Sequence, residues 1–188
     1  RQKGQFQRAL ATLQAAQRLL EREQDLEGRA EVQGALAQIR FAMGQPELAY
    51  EHLHDALHSA RMLDDLERQA ECHLDIGIFR SLEQNLETSL QHLDNALARF
   101  TALGNRVGGA RARVWRARTL AAMGEIVEAE MELLQVLSMP PERLTAAERG
   151  DFAFLQAEVA SFRGSVEDAA RSFKSAAHLF QETGLLWR

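Results

Sequence analysis

A single cysteine, Cys72, stands in the 188 residues, so no disulfide closes within the chain and the composition suits a reducing compartment. The three prolines, Pro46, Pro140 and Pro141, are too few for a proline-rich linker. No apolar run reaches the roughly 18 residues that read as a membrane span. The opening "RQKGQF" lacks both a secretory signal pattern and a methionine. Positive charge is not in excess: 22 Lys and Arg against 27 Asp and Glu give a net charge of −5. That balance argues against a general polyanion binder, so any basic function must be local. What remains is 46% hydrophobic and 26% charged residues, an ordinary globular balance able to bury a sizeable core.

What the chain does have is a repeat. "GQPELAYEHLHDAL" from Gly44 and "QNLETSLQHLDNAL" from Gln84 lie forty residues apart, and the same step reaches Gly4, Gly124 and Gly164. Five residues after each start is a small side chain: Ala9, Ala49, Ser89, Ala129, Ala169. Four further on come Leu13, Leu53, Leu93, Leu133 and Phe173, and three beyond those Ala16, Ala56, Ala96, Val136 and Ala176. Steps of four and three share one helical stripe, and small residues on it let a neighbouring helix approach closely. The segment before each start has its own small columns, Ala30/Ala70/Ala110/Gly150 and Ala37/Gly77/Ala117/Ala157. Asp25, Asp65, Asn105 and Thr145 stand at its head as N-caps. Thr145 opens a capping box with Glu148, and Pro140 with Pro141 stops the preceding helix. The expected unit is helix A, a tight turn at the glycine column, then helix B.

These columns resemble the tetratricopeptide repeat. Its helix B carries an alanine five residues after the turn and another twelve after it followed by leucine, as in "DAL" (Asp55–Leu57) and "NAL" (Asn95–Leu97). Its helix A carries a small residue seven before the turn, here Ala37, Gly77, Ala117 and Ala157. The family's aromatic four before the turn is replaced by Arg40, Arg80, Leu120 and Ala160. Its leucine eight before is Leu36 and Ile76, then Arg116 and Gln156. The forty-residue unit is longer than the family's standard one and looks like that of kinesin light chain and bacterial regulator arrays. The resemblance implies an all-α, right-handed superhelical solenoid of antiparallel helix pairs, with helix A lining a concave, peptide-binding trough. The division expected is a leading helix at 5–24, repeats at about 25–64, 65–104, 105–144 and 145–184, and a stub at 185–188. Such ends fit a piece of a longer array, whose Phe6, Leu10 and Leu13 would then form an exposed apolar stripe.

Within this frame "VGGARARVWRAR" (Val107–Arg118) is most of a helix A. Arg111, Val114 and Arg118 share a face, and Trp115 flanks both arginines. The same face is expected to hold Leu74, Ile78 and Leu82 one repeat earlier, and Phe154 and Phe162 one later. The expected trough site is therefore Arg111, Arg118, Val114, Trp115, Leu74, Ile78 and Phe154. Two alternatives stay open: internal pairing of Arg111 and Arg118 with Glu71, Asp151 and Glu158, and nucleic-acid binding through residues 106–118. Against the latter, Arg106, Arg113 and Arg116 spread over other faces. "GGARAR" lacks the frame of a phosphate loop. His54 and His58 have metal-ligand spacing but no third ligand, which reads as a solvated helix face. Cys72 reads as a small residue at a helix contact, and the shared phase of His52 and His92 as descent from a common unit. No nucleophile, base and orienting group converge. The expectation is a non-catalytic protein- or peptide-binding scaffold without cofactor or metal, the sensory or coupling module of a larger cytoplasmic regulator. Its ligand would carry acidic and apolar side chains; self-association is the other protein-binding reading.

Overall fold

The computed structural model describes residues 2–139, 153–154, 156–157, 160–161 and 163–182. Pro140, Pro141, Thr145, Glu148, Gly150, Asp151, Glu158 and Phe162 lie outside that set. Every regular element among the described residues is a helix: α1 (Gln2–Glu23), α2 (Leu26–Ala42), α3 (Pro46–Met62), α4 (Leu66–Leu82), α5 (Leu86–Leu103), α6 (Arg106–Met123), α7 (Ile126–Leu137) and α8 (Val166–Glu182). Starts recur at a step of forty, at 26, 66 and 106 for helix A and at 46, 86, 126 and 166 for helix B.

The stops and starts are local chemistry. Asp25, Asp65 and Asn105 each accept a hydrogen bond from a backbone N–H three residues on, at 3.0, 2.9 and 2.8 Å, satisfying a donor the helix leaves open. Each described turn passes through a left-handed residue. Gly44, Gly104, Gly124 and Gly164 do so at no steric cost, whereas Gln24, Asp64 and Gln84 do so with side chains, at φ 56°, 52° and 63°. The following amide reaches back five residues: Asp25 to the Leu20 carbonyl, Gln45 to Arg40, Asp65 to Ala60, Asn85 to Arg80, Glu125 to Leu120 and Ser165 to Ala160, all at 2.9–3.0 Å. That bond is the Schellman closure, which satisfies a helix-end carbonyl and reverses the chain within three residues.

The chain divides into two compact units, 1–104 and 105–188. In the first, α1 packs on α2, α2 on α3, α3 on α4 and α4 on α5, and α2 also reaches α4. The small columns lie in the contacts: Ala37, Ala49, Ala56, Ala70, Ser89 and Ala96 are fully buried, as are Leu53 and Leu93 between them. The approach is close at Gly77, where a Cβ would lie 2.7 Å from the Leu93 Cγ and 3.3 Å from the Leu93 backbone nitrogen. There the Ser89 hydroxyl donates to the Gly77 carbonyl at 2.7 Å. Phe6, Leu10 and Leu13 of α1 are half-buried.

An aromatic cluster joins α2, α3 and α4. Phe41 and Phe79 stack at 3.9 Å, and the Tyr50 ring meets Phe79 edge-on at 6.3 Å. The Arg80 guanidinium lies 3.8 Å over the Tyr50 ring, and Tyr50 donates to Glu83 at 2.5 Å. Burial and that carboxylate raise the Tyr50 pKa above its usual range, so the hydroxyl remains a donor.

In the second unit α6 packs on α7. Ala110, Ala117, Ala129, Leu133 and Val136 are buried there, as are Ala157, Ala169 and Ala176. Phe173, in the leucine column, departs from it: it is 37% exposed and meets Phe154 edge-on at 5.5 Å. Ala129, 1% exposed, has no room for a longer side chain and no water for a charge. Ala129→Glu should therefore destabilise the chain by about 3 kcal/mol or more, read as a lower melting temperature in circular dichroism. An unchanged melt would refute the assignment of this column to the helix contact.

Candidate functional site

The seven expected trough residues fall into two groups. Leu74 and Val114 are 0% and 2% exposed and present no surface to a ligand. Spacing explains the correction. Leu74 lies four residues after Ala70 and three before Gly77, and Val114 stands in the same relation to Ala110 and Ala117. Both therefore sit on the stripe that the small columns bring against neighbouring helices. The accessible helix A stripe is displaced by one residue. In α4 it runs Glu71, Asp75, Ile78, with Leu82 56% exposed at its end; in α6 it runs Arg111, Trp115, Arg118.

Ile78 packs beside the cluster of Ala37, Ala49, Tyr50, Leu53, Ile76 and Phe79, and Asp75 accepts from Gln38 of α2 at 3.1 Å. In α6 the Arg118 guanidinium lies 4.7 Å over the Trp115 ring, an attraction that also fixes the plane of its donors. Arg111 and Arg118 are half-buried. Phe154 is half-buried against Phe173.

The other arginines of α6 have a separate task. Arg113 donates to one oxygen of Glu132 at 2.8 Å and Arg116 to the other. All three side chains are largely covered, at 21%, 21% and 12% exposure. A carboxylate gripped by two guanidiniums ties α7 to α6 and removes both cations from any basic strip.

This pairing belongs to a column that sequence reading missed. Arg113 and Glu132 are nineteen residues apart, as are Gln33 and His52, and His73 and His92. Each pair lies one repeat from the next and joins helix A to helix B. His52 Nδ1 meets Gln33 Oε1 at 2.5 Å, and His73 Nδ1 meets His92 Nδ1 at 3.1 Å. The shared phase of His52 and His92 was the visible signal in the sequence.

His54 and His58 are exposed on α3, and among the described residues no group of three metal-ligating side chains forms. Cys72 packs with Ala56 and Leu57, and burial pushes its thiol up to about 12. Gly108 and Gly109 are buried in the first turn of α6, where Asn105 caps the Gly108 amide at 2.8 Å.

The architecture is all-α, built of antiparallel helix pairs of tetratricopeptide type. A solved structure of MamA, a tetratricopeptide-like helical repeat protein, is similar over 99% of this chain and 95% of that chain, with a TM-score of 0.54 and 19% identity. At that identity the likeness is one of fold. No family model matches the chain and no curated protein matches it. No helix among the described residues is long and apolar enough to cross a membrane.

The imidazole pair makes stability depend on pH. Burial, then Arg99 and His92 of α5 and Arg61 of α3, hold His73 down at about 4. Burial, then His54 of α3 and Arg80 of α4, lower His92. Above about pH 6.5 these histidines are neutral in both the folded and unfolded chains. As pH falls toward 4 the unfolded chain takes up protons that folded His73 refuses, so stability is lost over that window, by roughly 3 kcal/mol when complete. His73→Gln, which copies Gln33 of the preceding repeat, should flatten the fall in melting temperature between pH 7 and pH 4. An equally steep profile in the variant would assign the acid sensitivity elsewhere.

Proposed function

We propose that the chain is a non-catalytic scaffold that binds a protein or peptide segment, and that Arg111, Trp115 and Arg118 are the centre of the site. The observation that carries this is the stacked Trp115–Arg118 pair on the accessible stripe of α6. An aromatic face beside planar guanidinium donors suits an apolar side chain next to a carboxylate, so the ligand class is an acidic-apolar peptide, with Phe154 as an apolar contact. Support for a binding role comes from the fold, since helix-pair arrays expose a broad surface on a rigid frame. The chemistry must then come from side chains, because the fold supplies none. The fuller reading is a single array serving as the sensory or coupling module of a larger cytoplasmic regulator. The commitment of Arg113 and Arg116 to Glu132 favours this over nucleic acid.

The test is the double variant Arg111→Glu, Arg118→Glu against a set of synthetic acidic-apolar peptides. Binding by the parent chain should fall at least about tenfold in the variant, with the melting temperature unchanged. A duplex oligonucleotide that binds with a steep salt dependence, and whose binding also needs Arg106, would replace this reading with a nucleic-acid site. A lowered melting temperature with no peptide bound by the parent would make both arginines structural and end the proposal.

A further inference from the structure

Helix B of each repeat buries one face and turns the opposite face to solvent. At the outward columns α3 carries Glu47, Glu51 and His54, α5 carries Glu87, Gln91 and Asp94, and α8 carries Glu167, Arg171 and Lys174, all exposed. In α7 the same columns hold Val127, Met131 and Leu134, at 66%, 52% and 51% exposure. They stand at i, i+4 and i+7, one continuous ridge opposite the buried Ala129, Leu133 and Val136. Packing does not require this ridge, since neighbouring repeats build the same helix with polar groups there.

The charges beside the ridge are of one sign. From Glu125 to Leu137 the chain has Glu125, Glu128, Glu130 and Glu132 and no basic residue. Glu132 is bound by Arg113 and Arg116. Glu128 and Glu130 are exposed and flank the ridge on its two sides.

We propose that the outward face of α7 docks a basic amphipathic helix of a partner protein. The partner lays its own apolar ridge along Val127, Met131 and Leu134, with Lys or Arg against Glu128 and Glu130. Anchors at i, i+4 and i+7 are the spacing at which two helices interdigitate, and Met131 adapts to uneven partner side chains. Charge selects the occupant. A second copy of the same face would set glutamates against glutamates, and an anionic lipid surface would meet the same repulsion. The surface is separate from the Arg111–Arg118 stripe and does not depend on it.

The probe is a labelled synthetic helix of about 18 residues, with leucine at the ridge spacing and lysine elsewhere. Its controls are the same helix with glutamate for lysine and a scramble of equal composition. The variant carries Val127→Glu, Met131→Gln and Leu134→Asp, the residues that α5 already bears in these columns, so the melting curve should stay that of the parent. In fluorescence anisotropy the parent should prefer the lysine helix to both controls. The triple variant should bind it at least about tenfold more weakly, and Arg111→Glu with Arg118→Glu should leave it unchanged. Equal binding by the triple variant, or no preference over the scramble, overturns the proposal. A dimer in sedimentation equilibrium that the triple variant dissolves also overturns it, by making a second copy the occupant. If a lowered melting temperature accompanies the triple variant, Met131→Gln alone decides by the same comparison.

Discussion

How closely two helices pack is set by the smallest side chains between them, and in this chain that constraint comes before every other feature. Ala37 and Ala49 share one cluster in the first repeat. Gly77 and Ser89 take their places in the second, close enough that the serine hydroxyl bonds the glycine carbonyl. A Cβ at position 77 would already collide with Leu93. Leu53, Leu93 and Leu133 then fill the space on either side, each fully buried and each worth about 1.5–3 kcal/mol. The turns serve the same end. A left-handed residue and a five-residue back-bond reverse the chain so tightly that helix B has no option but to lie along its own helix A.

Close packing has a consequence for polar groups. Positions nineteen apart, one on each helix of a pair, are held face to face by the backbone, so whatever polar side chains stand there must satisfy each other. The three repeats solve this differently, with an amide and an imidazole, two imidazoles, and two guanidiniums on a carboxylate. The first two are neutral pairings at the pH where folded His73 is uncharged. The third keeps its charges and compensates their burial by geometry. One scaffold position thus holds neutral pairings and an ion-paired one without any change in backbone.

Much of this was legible in the sequence, and the part that was not has a definite cause. Period, caps and small columns follow from local rules, and Asp25, Asp65, Asn105 and Ala129 stand where those rules put them. The left-handed turns at Gln24, Asp64 and Gln84 carry no glycine to announce them. The helix A face was misjudged by one residue because periodicity assigns a face, whereas the depth of burial depends on how far the neighbouring helix overlaps it. Leu74 and Val114 lay between two small columns, and that spacing was enough to place them in the core. The Arg80–Tyr50 stack was invisible for another reason: it joins helix A to helix B of different repeats, and no pattern within one segment encodes it.

A repeat gives its own control experiment, since each column shows what the fold demands and each departure shows what it does not. The small and leucine columns of the helix contacts change little from repeat to repeat, so their identity is explained by packing. The outward columns vary freely, and a residue there is informative only when it defies the solvent. Val127, Met131 and Leu134 do so together, on one helix and at one spacing, between acids. Trp115 and Arg118 do so on the helix A side of the same unit, where an aromatic ring and a cation are held together in partial contact with water. Because helix A and helix B face opposite ways, a single repeat presents two chemically distinct surfaces, one basic and aromatic, the other apolar with an acidic rim, and the frame between them is the Arg113–Glu132–Arg116 clamp.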